Sequence, residues 1–190
     1  MQKGDMELFN TLVNKDWSFW TLITSFFMLC LSQFIEVGYP IILLCGITLF
    51  TSFDIIGYES VAHSANRNDL VRYRIIQTMV QWLVVFILGV LTQWNAWVVF
   101  GFVYLWWMGV CDMLFYVILG KYKQLLSYGD MHWLWWTPIG NINKIIGRKT
   151  SGLEVFYITT YSVIMWLSIW VFKESTHNKT IMDVITYLFK

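Results

Sequence analysis

Charge is what this chain has least of. Only 13% of its 190 residues are Asp, Glu, Lys or Arg, about half the share of an ordinary soluble domain, and none occurs from Ile75 to Cys111. A water-facing surface cannot be built from so few charges, and the net charge of +1 offers no general attraction for nucleic acid. Histidine is scarce as well. His63, His132 and His177 are too few and too dispersed for a haem held between transmembrane histidines. Cys30, Cys45 and Cys111 lie inside apolar stretches without CxxC spacing and read as small buried hydrophobes. No GxSxG, phosphate-loop or dinucleotide fingerprint is present, which removes the usual hydrolase and nucleotide signatures. The start of the chain lacks the basic and apolar blocks of a cleavable signal peptide, and neither end carries a lipidation motif, so the first span is expected to act as an uncleaved signal.

Apolar residues fill the space that charge leaves. They make up 57% of the chain, aromatics alone 19%, and the mean hydropathy is +0.56. Runs of about 20 such residues are long enough to cross a bilayer as helices. The expected fold is therefore all-α: one domain over residues 1–190, a polytopic helical bundle integral to a membrane. Five transmembrane helices are predicted over 17–35, 40–60, 75–92, 96–119 and 154–172, with short amphipathic helices at both termini. A β-barrel is disfavoured because these runs are continuously apolar and do not alternate. Gln93-Trp94-Asn95 marks a hairpin turn inside the long uncharged stretch.

Other segments suit the membrane surface. Leu8, Phe9, Leu12 and Val13 near the start, and Ile181, Val184, Ile185, Leu188 and Phe189 near the end, recur at helical spacing. Residues 131–147 join Trp133, Trp135 and Trp136 to Pro138, Gly140, Asn141 and Asn143, a stretch too polar to span comfortably and read as interfacial or re-entrant. With five spans, ten of the 13 basic residues fall on one side and only Lys173, Lys179 and Lys190 on the other. The excess of Lys and Arg on cytoplasmic loops then puts the N-terminus in the cytoplasm and the C-terminus opposite, in a plasma membrane or an organelle inner membrane. If 131–147 crossed as well, six spans would leave both termini inside. Asn178-Lys179-Thr180 matches a glycosylation acceptor on the outer side. Most of the twelve tryptophans fit an interfacial belt.

Ionisable groups inside apolar spans cost a few kcal/mol on insertion scales, so their positions point to a site. Asp54, Tyr58 and Glu59 in the second helix, His63 just beyond it, Asp112 in the fourth helix and Glu154 before the fifth are expected at a common depth. Glu59 and His63 share a helix face, whereas Asp54 and Glu59 are roughly 140° apart unless the helix bends at Gly57. The cluster has three readings: ion pairing with Arg67, Arg72 or Arg74 that fixes helix packing, a polar cavity for a proton, ion or small solute, or a metal site of Asp54, Glu59, His63 and Asp112. The deeper Trp82, Trp106, Trp107 and Trp166 suit helix packing or, more specifically, an aromatic cage for a cation.

These features predict a small integral membrane protein that serves as a subunit of a larger membrane assembly or as a small oligomeric transporter or channel. Its partners would be the lipid bilayer and other membrane subunits or further copies of itself, with no nucleic acid. The alternative is a metal-dependent membrane enzyme acting on a lipid or another apolar substrate, with a metal ion at the polar cluster as its cofactor.

Overall fold

Described in the computed structural model are residues 3–35, 38–62, 67–131, 134 and 137–175, with side chains for 17–35, 38–58, 71–131, 134 and 137–173. His63, His132, His177, the tryptophans at 133, 135 and 136 and the amphipathic stretch 181–189 fall outside the described residues, as does the side chain of Glu59. The described chain is helical, with no strand: α1 Lys3–Leu31, α2 Tyr39–Ala62, α3 Arg67–Leu91, α4 Ala96–Trp107, α5 Val110–Ile118, α6 Tyr122–Ser127, α7 Pro138–Ile145 and α8 Gly152–Ser175.

Continuous apolar sequence becomes helix because the backbone has no other way to satisfy its polar groups away from water. Three helices are long and apolar enough to cross a membrane, over Tyr39–Tyr58, Val71–Leu91 and Gly152–Lys173. A fourth span follows if α4 and α5 count together. The predicted spans at 40–60, 75–92 and 154–172 thus match α2, α3 and α8, with α3 starting earlier, at Arg67.

Two predicted elements take a different form. The apolar stretch expected over 17–35 ends at Leu31 and is continuous with the amphipathic start, so α1 is one helix of 29 residues whose apolar part, Trp17–Leu31, is shorter than the three long spans. The span expected over 96–119 breaks at Met108-Gly109, and its two halves meet at 74°. Gly109 sits at φ 84, a left-handed conformation that ends α4 and that glycine adopts without steric cost.

Local chemistry fixes the turns. Asn95 caps α4 by accepting a hydrogen bond from the Trp97 amide at 3.0 Å, and the predicted hairpin turn before it holds Gln93 and Trp94 at positive φ. Ser151 and Glu154 form a reciprocal capping box at the start of α8: the Glu154 amide donates to Ser151 Oγ at 3.2 Å and the Ser151 amide to Glu154 Oε2 at 3.0 Å.

α1 and α2 form an antiparallel hairpin, tied where the hydroxyls of Ser25 and Thr48 lie 2.8 Å apart. The main core gathers Leu29, Ile47, Phe50, Leu88, Val98, Phe102 and Trp170 from α1, α2, α3, α4 and α8. A smaller core of Leu125, Met131, Leu134 and Val155 sits under the 119–152 connection. That connection closes on itself, because the Met131 amide donates to the Thr150 carbonyl at 2.7 Å and the Gly152 amide to that of Tyr128 at 2.8 Å. The two ends of this segment, Met131 and Thr150, therefore lie side by side.

Candidate functional site

At one end of the bundle α2, α3 and α5 bring their polar side chains together. Asp54 of α2 is the centre. Tyr73 of α3 places its hydroxyl against both the Asp54 carboxylate and the Asp54 main-chain oxygen, the latter at 2.9 Å. One turn further along α3, Gln77 donates from Nε2 to the same carboxylate oxygen at 2.7 Å. Tyr73 and Gln77 are four residues apart and so project from one helix face. Arg74, between them, is near enough to act electrostatically on Asp54.

Gly57 makes the contact possible. A side chain there would run into the Tyr73 ring, whose edge lies over the α2 backbone. The helix continues through Gly57, where the missing side chain leaves a seat for the ring.

Asp112 approaches from α5, within the electrostatic reach of Asp54 and Arg74. The break at Gly109 explains its position. It starts a new helix whose first amides have lost their partners on the preceding turn, and Asp112 occupies that first turn. An acidic group there is favoured by the positive end of the helix dipole. The neighbouring Cys111 is buried and bonded to the Thr51 hydroxyl of α2. Tyr58 rests edge-on against Phe115 at 6.0 Å, and Tyr116 packs against Tyr128 at 5.9 Å, so tyrosines border the site on the side of the 119–152 connection.

Of the residues selected from the sequence, Asp54, Tyr58 and Asp112 belong to this assembly. Glu154 belongs to another network: it pairs with Arg148, caps α8 and accepts from Asn143 at 3.4 Å. Among the described residues no three His, Cys, Asp or Glu side chains are placed to hold a metal ion. The expected metal set also needs Glu59 and His63, which lie outside the described side chains.

The tryptophans expected to form a cage are dispersed. Trp82 and Trp107 are exposed on α3 and α4, while Trp166 is stacked between Trp97 at 5.8 Å and Tyr104 at 5.2 Å. Its indole fits against Gly101, where a side chain would collide with it. This stack is part of the core of the bundle.

Sequence reasoning missed Tyr73 and Gln77. Tyr73 stood in a polar joint and Gln77 in an uncharged run, and neither is a residue type that marks a site by itself. The four-residue interval between them was the one available sign, and it acquires meaning only once α3 is laid against Asp54. Comparison with protein-family models, with curated proteins and with solved structures returns no match.

Proposed function

We propose that this chain is a small membrane transporter, working as an oligomer or inside a larger membrane assembly, that passes a proton or a small cation through Asp54 and Asp112. One observation carries the reading: the fourth span is broken by 74° immediately before Asp112, next to a second carboxylate held by Tyr73 and Gln77. Irregular backbone at membrane depth is tolerated where it is buried in protein or lines a polar cavity, and interrupted helices are how many transporters present helix ends to their substrates. Two carboxyl groups near a single arginine, Arg74, give a site whose members can exchange a proton or accept a cation.

The topology that accompanies this reading has five spans, with α1 crossing beside α2. Arg67, Arg72, Arg74, Lys121, Lys123, Lys144, Arg148 and Lys149 share one end of the bundle, which the bias of Lys and Arg makes cytoplasmic. The N-terminus is then cytoplasmic and the C-terminus opposite. The polar site opens toward the cytoplasm. Along α3, the exposed Ile75, Met79, Trp82, Phe86 and Val90 form an apolar stripe for lipid, a second copy or another membrane subunit.

Proteoliposomes with an entrapped pH indicator test the proposal. Flux driven by an imposed potential should fall at least tenfold with Asp112→Asn while the melting temperature in detergent holds; equal flux in wild type and variant overturns the reading. If elemental analysis instead finds stoichiometric metal that Asp54→Asn removes, the metal-dependent enzyme replaces it.

A further inference from the structure

The 119–152 connection carries a helix, α7, whose outer face is exposed. On α7, Gly140 and Asn143 are buried, and Asn143 reaches the Thr150 hydroxyl at 3.3 Å, so this face holds the helix to the fold. Ile142, Ile145 and Ile146 point the other way and are 55%, 78% and 62% exposed. Ile142 and Ile145 of α7, with Ile146 at its C-cap, make an exposed apolar ridge that is costly in water and favourable in the boundary layer of a membrane.

Cations outnumber carboxylates beside this ridge. Lys144, Arg148 and Lys149 line a single cleft of about 360 Å³ with Gly140, Gly147 and Thr150, and Asp130 is the one carboxylate in that lining. The carbonyls at the end of α7 do not oppose an anion there: those of Ile142, Asn143 and Lys144 are taken by the amides of Ile146, Arg148 and Gly147. Around α7 the buried Gly140 and Asn143, then Lys144, then the isoleucines follow one another, with Arg148 and Lys149 just past its C-terminal end, an arrangement that suits a helix lying in the plane of a leaflet. The connection sits at the end of a bundle whose neighbouring helices cross the membrane, so the occupant of the ridge is at hand.

We infer that α7 is an interfacial anchor that seats Ile142, Ile145 and Ile146 among the acyl chains and gathers anionic phospholipid through Lys144, Arg148 and Lys149. Burial of the ridge supplies attachment, and the cations supply selectivity for negatively charged headgroups. Arg148 also pairs with Glu154, so a lipid headgroup and the start of α8 draw on the same guanidinium.

The full chain in nanodiscs, with Cys30→Ser to remove the exposed native thiol and a fluorophore on Ile145→Cys, reports where the ridge lies. The expected result is quenching by a nitroxide placed high on the acyl chain and shielding from iodide. Quenching by iodide alone puts the ridge in water, and shielding from both quenchers puts it in a protein interface; each overturns the inference. Selectivity is read separately, by native mass spectrometry of the chain carrying Lys144→Gln and Lys149→Gln. Wild type should retain phosphatidylglycerol over phosphatidylcholine, and the double variant should lose roughly tenfold or more of that preference. An unchanged preference overturns the role given to the cations, as does displacement of phosphatidylglycerol by millimolar inorganic phosphate. Asp54 and Asp112 are untouched throughout, so this outcome is independent of the transport assay.

Discussion

The hydroxyl of Tyr73 lies against two oxygens of Asp54 at once, its carboxylate and its main-chain carbonyl, and joins α3 to α2. A phenol has one proton to give, so the two acceptors share it. Hydrogen bonds between transmembrane helices contribute about 0.5 to 2 kcal/mol. Tyr73→Phe removes this one and leaves Asp54 with Gln77. Denaturant unfolding in detergent should show a loss of stability in that range, and an unchanged midpoint would show that the bond contributes nothing.

Gly57 and Tyr73 should behave as one unit. In an ordinary helix Gly→Ala gains roughly 1 kcal/mol, but at position 57 the added carbon meets the Tyr73 ring. Gly57→Ala should therefore destabilise the wild type and become neutral or stabilising when Tyr73→Ala has cleared the space. The double-mutant cycle measures this, and additivity would show that the ring does not rest there.

Gly109 holds the break in the fourth span. A side chain at φ 84 costs about 1 to 2 kcal/mol, yet the space is adequate, with the nearest neighbour, Thr159, 3.5 Å from an added carbon. Gly109→Ala should lose stability in that range by thermal unfolding, and Gly109→Asn less, because asparagine tolerates the left-handed region. If both lose equally, packing and not backbone conformation governs the position.

Glu154 accepts from the Ser151 amide and pairs with Arg148, itself 62% exposed. Glu154→Gln keeps the cap and removes the charge, and exposed ion pairs contribute about 0.2 to 1 kcal/mol. The variant should melt slightly lower at low ionic strength and converge with wild type in molar salt. Ser151→Ala, which loses the cap itself, should cost about 1 kcal/mol at any salt concentration.

Helices α2, α3 and α8 were legible as long apolar runs, α2 in spite of Asp54 and Glu59, because lipid demands length and apolarity and tolerates few charges. The start of α3 was not. Arg67, Asp69, Arg72 and Arg74 looked like a connection, but an arginine-rich turn can continue a helix once it leaves the apolar layer. The break at Gly109 was hidden for the opposite reason: glycine is common in membrane helices, and hydropathy cannot separate a bent apolar run from a straight one. Glu154 was drawn toward the site by its charge and depth, although Ser151-Gly152-Leu153-Glu154 spells a capping box that accounts for it locally.

By itself, the order of residues determined that this chain is helical and that several of its helices are long and apolar enough to cross a membrane, and it singled out Asp54 and Asp112 as ionisable groups among apolar neighbours. These follow from solvation, which acts on each segment alone. Only the tertiary structure decided which side chains answer those carboxylates, because Tyr73 reaches Asp54 through the packing of two helices and the absence of a side chain at Gly57. The same packing set the 74° bend that presents Asp112 on a fresh helix end, a direction in space that no property of a single segment encodes.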